Sequence, residues 1–350
     1  MSQSTPARGY AALDAKTPLV PFEFERRAVG DNDVSLDIVF SGICHSDIHQ
    51  ARSEWGPALY PMVPGHEIIG KVKAVGAKVS KFKVGDTVGV GCLVDSCRTC
   101  ASCKDDLENY CEKGMVGTYN CEDVKYGGLK QGGYSDHIVV DERFVVRVPD
   151  NLDMRGAAPL LCAGITMYSP LRHWKAGPGM KVGIVGLGGL GHMGVKLAHA
   201  MGCEVVMITT SPSKGDDARK LGADGVLISK DAGAMAEAAN SFDLIISTIP
   251  VSHDVNPYIN LLKRDATLVV VGAINPVEAV NTGAMIMGRK SMAGSVIGGL
   301  KETQEMLDFC GKHNIVSEVE VIGVDQINEA YERTIKGDVR YRFVIDMSTL

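Results

Sequence analysis

The chain has 350 residues, 45% of them apolar and 22% charged, so it is long enough for one large domain or two domains with sizeable cores. Its net charge of −6 argues against nucleic acid or an anionic membrane as the main partner, because either would favour a basic face. The N-terminal stretch lacks an apolar core of signal-peptide length, and no apolar run approaches the roughly 18 residues of a membrane span. We therefore expect a soluble, cytoplasmic protein.

The first 150 residues predict a β-rich, irregular domain. Apolar or alternating runs such as VSLDIVF, IIGKVKAVG and SDHIVVDERFVVRV are broken by Gly, Pro and Asp. Within this region, SGICHSDIHQ at residues 41–50 gathers one cysteine, two histidines, two serines and an aspartate. A loop can hold such residues by chance, but a metal site with a proton relay would need them.

Four of the ten cysteines fall between residues 97 and 111 of this same region. Their spacing, Cys97-x2-Cys100-x2-Cys103-x7-Cys111, predicts a loop that wraps one structural zinc ion through four thiolates. An iron–sulfur cluster is the alternative, since it also uses four cysteines. However, a ferredoxin run continues with x3-C-P, whereas this chain continues with x7 and then Glu112.

The pattern changes after about residue 155. Helical stretches there separate six short apolar runs: KVGIVGLG, EVVMITT, GVLIS, FDLIIST, ATLVVVGA and MAGSVIG. The first helical stretch carries its apolar residues on one face: Leu190, Met193, Leu197, Ala198 and Met201. Alternating strands and helices predict a doubly wound parallel sheet. The tail predicts a helix and a final strand that composition alone assigns to neither domain.

The turn after the first run has the pattern G-x-G-x-x-G, which predicts dinucleotide binding in this strand–turn–helix context. Its residues are Gly186, Leu187, Gly188, Gly189, Leu190 and Gly191. The glycines permit a tight turn and a close approach of the backbone to a pyrophosphate, and the helix N-terminus favours its negative charge.

The end of the second run indicates which dinucleotide is bound. An NAD site usually has Asp or Glu there, but this chain has Thr209, Thr210, Ser211, Pro212, Ser213 and Lys214. Hydroxyls and a lysine can hold a 2′-phosphate, so we expect NADP(H). A solvated polar loop is the alternative, and the nearby Asp216 and Asp217 would weaken a phosphate site.

Several motifs together resemble the zinc-dependent medium-chain alcohol dehydrogenases. CHSDIH, GHEIIGKVKAVGAKV, the four-cysteine loop and GLGGLG occur in that family's order. SEWGPALYPMVPGHE, CAGITMYSPL, GSVIGG, ETQEMLDFC and YRFVID further resemble its cinnamyl-alcohol-dehydrogenase class, in particular bacterial aldehyde reductases. The resemblance implies an α/β protein with a β-rich GroES-like catalytic domain, residues 1–154 and 291–350, and a Rossmann cofactor domain, residues 155–290.

The resemblance also implies roles for residues in the first domain. Cys44, His66 and Cys162 would hold the catalytic zinc, with Glu67 as a ligand or directly behind it. The residues expected to serve catalysis around that metal are Asp47 beside it, Ser46 at the reacting oxygen and His49 at the outer end of a proton relay. As isolated residues, His49 would be a solvated loop histidine, Asp47 a turn residue and Cys162 a small core residue.

The resemblance places further residues at the cofactor and the substrate. The expected cofactor contacts, besides the glycine turn and residues 209–214, are His45, Thr166, Thr248, Val271, Gly272, Ala273, Ser295, Val296, Ile297 and Arg340. The expected pocket wall is Trp55, Leu59, Cys92, Tyr119, Ile274, Val296 and Ile297, although Trp55 can equally be a structural plug.

Together with these residues, the resemblance implies an NADP(H)-linked aldehyde reductase that forms a homodimer or tetramer, with MAGSVIG as a candidate edge strand for subunit pairing. The bulky apolar pocket residues argue against an NAD-linked polyol or secondary-alcohol dehydrogenase. The complete Cys44, His66 and Cys162 set argues against a non-catalytic cofactor-binding protein. A zinc-ribbon nucleic-acid binder is disfavoured by the net charge and by the absence of a basic patch in residues 97–111.

Overall fold

The computed structural model of the protein describes residues 4–272 and 275–350. The chain divides into two compact units, residues 1–162 with 298–350 and residues 163–297. No helix in the described part of the chain is both long enough and apolar enough to cross a membrane.

The strands are β1 (Thr5–Ala11), β2 (Val20–Arg26), β3 (Asp33–Ile43), β4 (Ile68–Val75), β5 (Thr87–Val90), β6 (Leu93–Asp95), β7 (Val116–Gly117), β8 (His137–Asp141), β9 (Val146–Arg147), β10 (Lys181–Val185), β11 (Glu204–Thr209), β12 (Gly225–Ile228), β13 (Phe242–Ser247), β14 (Leu262–Val270), β15 (Ser291–Gly294), β16 (Val319–Ile322) and β17 (Arg342–Asp346). The helices are α1 (His45–Ala51), α2 (Ala101–Lys104), α3 (Met154–Ala157), α4 (Ala163–His173), α5 (Gly191–Ala200), α6 (Gly215–Lys220), α7 (Ala232–Glu237), α8 (Asn256–Leu261), α9 (Thr282–Gly288), α10 (Leu300–His313) and α11 (Ile327–Ile335).

The second unit contains a parallel sheet of six strands in the order β12-β11-β10-β13-β14-β15. Each of the six predicted apolar runs supplies one strand, because strands covered by helices on both faces are apolar along their whole length. In chain order this arrangement is 3-2-1-4-5-6, the strand order of dinucleotide-binding folds. The predicted Rossmann fold is confirmed.

The first unit is built on a sheet of seven strands. β16, β17, β3, β4, β5 and β9 follow one another across it, and β8 also pairs with β3. The run VSLDIVF lies in β3 and IIGKVKAVG lies in β4, so the β-rich prediction for this region is correct. The tail returns to this sheet, since β17 pairs antiparallel with β3.

The boundaries of the two units lie a few residues after those expected from the sequence, at 162/163 and 297/298 instead of 154/155 and 290/291. At the first boundary, α3 and the following 3-10 turn Ala158–Leu161 pack against β3, β4 and β5 of the first unit. At the second boundary, β15 pairs with β14 and so completes the parallel sheet before the chain leaves it.

Candidate active site

Residues 41–50 join β3 to α1. Cys44 follows the last residue of β3 in an extended conformation and caps α1, and its backbone N–H donates to Asp47 Oδ2 at 2.9 Å. The Cys44 side chain is buried, as are Asp47 and Ile48 on the inner side of α1. The short helix therefore fixes Cys44 and Asp47 relative to each other through one hydrogen bond.

Cys44 lies in a buried cluster with His66, Glu67 and Cys162, and one ligand atom from each lies within 4.8 Å of all the others. The two sulfurs are 3.9 Å apart. Two Zn–S bonds of about 2.3 Å at the tetrahedral angle separate two thiolates by about 3.8 Å, so this pair fits zinc. Glu67 Oε2 is buried and has no hydrogen-bond partner among the described residues, as expected for an oxygen that faces a cation.

Asp47 orients the imidazole of this cluster. Its Oδ1 lies 2.9 Å from His66 Nδ1 and also accepts the backbone N–H of Gly65 at 3.0 Å. Its Oδ2 accepts from the Cys44 N–H and from the Tyr134 hydroxyl at 3.2 Å. Because Nδ1 is held by the carboxylate, Nε2 is the nitrogen left to bind a metal.

The four clustered cysteines also come together. One ligand atom of Cys97, Cys100, Cys103 and Cys111 lies within 4.8 Å of the others, and the sulfurs of Cys97 and Cys103 are 3.9 Å apart. Backbone N–H groups of Cys100 and Glu112 point at sulfurs of the set, at 3.4 and 3.5 Å. An iron–sulfur cluster would hold its thiolates farther apart, because irons and sulfides lie between them, so the geometry fits a single zinc ion.

The glycine-rich turn in the second unit has the shape that a pyrophosphate requires. Gly186 has a φ of +92°, which only glycine adopts readily, and a Cβ on Gly191 would lie 1.8 Å from the Gly186 carbonyl oxygen. A Cβ on Gly188 would meet nothing within 4 Å, so open space lies beside its backbone. α5 then begins at Gly191, so a helix N-terminus, whose dipole favours an anion, directly follows the turn.

Several predicted cofactor residues lie at one edge of the parallel sheet. Thr209 is the last residue of β11, and Thr248, Val271 and Ser295 directly follow β13, β14 and β15. The Thr248 hydroxyl donates to the Val185 carbonyl at 2.7 Å, beside the glycine turn. Ligands of such sheets bind at the carboxyl ends of the strands.

A lysine in the segment that follows β11 contacts the glycine turn. Lys214 Nζ donates to the Leu187 carbonyl at 3.2 Å, and the hydroxyls of Ser211 and Ser213 are 2.8 Å apart. The acids that follow are paired with cations within α6, Asp216 with Arg219 at 3.7 Å and Asp217 with Lys220 at 4.0 Å. These pairs reduce the repulsion that the two acids would exert on a phosphate.

Two protein families match this chain. Residues 30–150 match the alcohol dehydrogenase GroES-like domain, and residues 189–312 match the zinc-binding dehydrogenase family. The chain is 55% identical over 345 residues to aldehyde reductase YahK of Escherichia coli strain K12, covering 98% of this chain and 99% of that protein. The chain belongs to the zinc-type medium-chain alcohol dehydrogenases.

Two solved structures are similar over nearly the whole chain. Cinnamyl alcohol dehydrogenase SbCAD4 from Sorghum bicolor has a TM-score of 0.95 and 49% identity, with 98% of each chain covered. CAD from Helicobacter pylori, solved in complex with NADP(H), has a TM-score of 0.92 and 44% identity, with 99% of each chain covered. The resemblance to the cinnamyl-alcohol-dehydrogenase class is thereby confirmed.

In this dehydrogenase, the carboxylate of the buried cluster has a partner that the sequence analysis missed. Arg342 on β17 is buried and forms an ion pair with Glu67. Burial raises the pKa of Glu67 to about 7, although the positive charge of Arg342 opposes this. The motif YRFVID contains Arg342, but only Arg340 was singled out, and its backbone N–H donates to Glu320 at 3.2 Å.

The two thiols of the cluster differ in acidity. The hydrogen bond from Cys162 and the positive charges of Arg342 and His66 lower the pKa of Cys44, in spite of its burial. The neighbouring thiols and burial raise the pKa of Cys162. The contact between the two sulfurs therefore favours one thiolate in the pair.

The expected relay residues lie on α1. Ser46 Oγ is 3.5 Å from Cys44 Sγ, within reach of the cluster. His49 is hydrogen-bonded through Nδ1 to Glu54 and stacks on Trp55 with ring centroids 4.9 Å apart. Glu54 was missed because a lone surface acid carries no sequence signal. Burial lowers the pKa of His45, so this histidine can offer a phosphate a neutral N–H donor at pH 7.

The candidate pocket residues of the first unit differ in their surroundings. Tyr119 is buried, stacks on His66 at 6.0 Å and accepts a hydrogen bond from Gln50 at 3.0 Å. Cys92 is half-buried, whereas Trp55 is 44% exposed. The backbone of Leu59 is held by Asn120 at 2.9 Å.

The remaining candidates belong to the second unit or fall outside the described residues. Thr166 is buried in α4, Ile297 is buried and Val296 is 43% exposed. Gly272 follows Val271 after β14. Ala273 and Ile274, predicted as a cofactor contact and a pocket residue, lie outside the part of the chain that the structure describes.

Proposed function

We propose that this alcohol dehydrogenase works as an NADPH-linked reductase of aromatic and medium-chain aliphatic aldehydes. The observation that carries the proposal is the buried cluster of Cys44, His66 and Cys162, whose sulfur spacing and ligand types fit a catalytic zinc with an open position. The similarity to aldehyde reductase YahK supports the direction of the reaction.

Cys44, His66 and Cys162 would hold the catalytic zinc, and the ion would act as a Lewis acid on the carbonyl oxygen of the aldehyde. Glu67 would stand behind the ion, since Arg342 neutralises one of its oxygens and the other is unpartnered in the described structure. Cys97, Cys100, Cys103 and Cys111 would hold a second zinc that stabilises the fold.

NADPH would supply the hydride, and residues of α1 would supply the proton. Ser46 would donate its hydroxyl proton to the new alcohol oxygen, because it is the hydroxyl nearest to Cys44 on this helix. His49 would restore that proton from solvent, since histidine gains and loses protons near neutral pH. Glu54 would hold the His49 ring in place through its hydrogen bond to Nδ1.

The 2′-phosphate of NADPH would bind to Thr209, Thr210, Ser211 and Lys214. Lys214 already reaches the glycine turn, and no acid occupies the end of β11. The phosphate would therefore meet one cation and several hydroxyl donors, where NADH would leave the lysine without a charged partner. The pyrophosphate would bind at the turn Gly186–Gly191 and the start of α5.

The protein would act as a homodimer in the cytoplasm. β15 is the outer strand of the six-stranded sheet, and nearby Ile286 and Met287 are 76% and 89% exposed. A bare edge strand beside exposed apolar groups is typical of a subunit interface. All ten cysteines are free, as a reducing compartment requires. Light scattering should give twice the chain mass, and a monomer would contradict the dimer.

A substrate panel tests the proposed reaction. We expect cinnamaldehyde, benzaldehyde and hexanal to be reduced by NADPH with higher kcat/KM than any polyol is oxidised by NADP⁺. The apolar and aromatic side chains Trp55, Leu59 and Tyr119 would favour such aldehydes. Faster oxidation of mannitol or of a secondary alcohol than reduction of these aldehydes would contradict the proposal.

A further inference from the structure

The four-cysteine lobe, residues 97–111, contacts the first turn of α10 through two carboxylates. Glu108 Oε2 accepts the backbone N–H of Leu300 at 3.0 Å, and Asp106 Oδ2 lies 3.0 Å from Lys301 Nζ. Glu108 lies in the 3-10 turn Glu108–Tyr110, between the ligand positions Cys103 and Cys111. The lobe is thus tied to a segment 192 residues further along the chain.

These contacts replace a cap that α10 lacks. Gly299 precedes the helix and has no side chain that could accept a hydrogen bond from its first N–H groups, so the Glu108 carboxylate accepts one of them, the N–H of Leu300, from outside. A negative charge at a helix N-terminus is also favoured by the helix dipole. A Cβ on Gly299 would lie only 1.9 Å from the Asp106 carbonyl oxygen, so the close approach requires glycine.

The chain enters α10 from a strained residue. Ile297, two residues before Gly299, has a φ of +37°, a region that a β-branched residue rarely occupies. Such a conformation persists only when the surrounding structure holds it. On the C-terminal side of Ile297, the nearest backbone held by hydrogen bonds is Gly299 and the first turn of α10. The Gly299 carbonyl accepts a hydrogen bond from the Thr303 hydroxyl at 2.8 Å.

We propose that Glu108 is a positioning residue for cofactor binding. The lobe, folded around its metal, holds the first turn of α10 through Glu108 and so preserves the backbone conformation of Ile297. This inference rests on the proposed function, because it takes Ser295, Val296 and Ile297 as NADPH contacts. It gives the lobe a role in NADPH binding in addition to its contribution to stability.

The test compares Glu108→Ala, Glu108→Gln and the wild-type enzyme. In Glu108→Ala, we expect amide hydrogen exchange in residues 298–304 to rise about tenfold, since a hydrogen bond to a charged acceptor is lost. We expect the Kd for NADPH, measured by fluorescence titration, to rise about threefold or more while both zinc ions are retained. Glu108→Gln keeps an acceptor oxygen. Its hydrogen exchange in residues 298–304 and its Kd for NADPH should therefore stay close to the wild-type values.

Asp105→Ala is the matched control, since it removes an exposed carboxylate from the same lobe and should change neither quantity. Unchanged exchange in Glu108→Ala, or faster exchange with an unchanged Kd for NADPH, would overturn the proposal. Loss of the lobe zinc from Glu108→Ala would also overturn it, because the effect would then come from unfolding of the lobe. If the wild-type enzyme does not bind NADPH at all, the proposed function fails, and the exchange data still report whether Glu108 holds α10.

Discussion

Asp47 Oδ1 lies 2.9 Å from His66 Nδ1, and both side chains are buried. This contact fixes the imidazole so that its other nitrogen faces the cluster. We predict that Asp47→Asn weakens binding of the catalytic zinc by about 10- to 100-fold, the usual effect of losing such a partner. Competition with a chromogenic chelator measures this. Asp37→Asn, which changes an exposed acid paired with Lys73, is the control. Equal zinc affinity in Asp47→Asn and wild type would contradict the role of Asp47.

Removal of one thiolate should empty one metal site and leave the other filled. We predict that Cys44→Ala leaves one zinc ion per chain, bound by the four-cysteine lobe, and loses nearly all turnover, because the open catalytic site needs both thiolates. Elemental analysis and steady-state kinetics check this. Cys203→Ala, a buried cysteine outside both clusters, should keep both ions. The assignment is wrong if Cys44→Ala loses both metals or keeps full activity.

Lys214 is predicted to decide the choice of cofactor. Lys214→Ala should raise the KM for NADPH about tenfold, because a charge-assisted hydrogen bond to the 2′-phosphate is lost, and should leave the KM for NADH nearly unchanged. Lys220→Ala, an exposed lysine on α6 that pairs with Asp217, is the matched control. A rise of equal size for both cofactors would show that Lys214 acts on the fold or on the pyrophosphate.

His49 and Glu54 are predicted to act together in proton transfer. His49→Ala should lower kcat by about tenfold or less, since solvent can partly replace the outer end of the relay, and it should alter the pH dependence of kcat. Glu54→Gln should change that profile in the same direction, because Glu54 holds Nδ1 of His49. If the pH dependence of kcat in both variants coincides with that of the wild type, His49 and Glu54 do not take part in the relay.

The lobe should bind zinc more tightly as pH rises. Burial raises the pKa of Cys103 to about 12, whereas N–H donors from Thr99 and Cys100 lower the pKa of Cys97 to about 6. At pH 7 the metal-free lobe therefore carries a protonated Cys103, and zinc must displace that proton because only the thiolate is a ligand. Chelator competition from pH 6 to pH 8 should show increasing affinity. A constant affinity over that range would contradict this reasoning.

The sequence predicted the parallel sheet well because each of its strands is a short apolar run between helical stretches. The glycine turn was also predictable, since both the φ of Gly186 and the tight contact at Gly191 can be met only by glycine. The four-cysteine lobe was recognisable because its ligands lie within 15 residues, from Cys97 to Cys111. Each of these features is local in the chain.

The features that the sequence did not reveal are pairs between distant residues. Arg342 meets Glu67 across 275 positions, Tyr134 meets Asp47 across 87, and Leu300 meets Glu108 across 192. No periodicity or spacing links such residues, because only the folded chain brings them together. The contact of α3 with β4 is of the same kind, since β4 lies far earlier in the chain.

The most direct test of the proposed reaction is oxidation of NADPH and of NADH, side by side, with cinnamaldehyde, before and after treatment with a strong zinc chelator. We predict fast oxidation of NADPH, much slower oxidation of NADH, loss of both activities after chelation and their recovery when zinc is restored. The contradicting result would be NADPH oxidation that continues after the zinc bound by Cys44, His66 and Cys162 has been shown to be removed. This cluster would then not be the catalytic site.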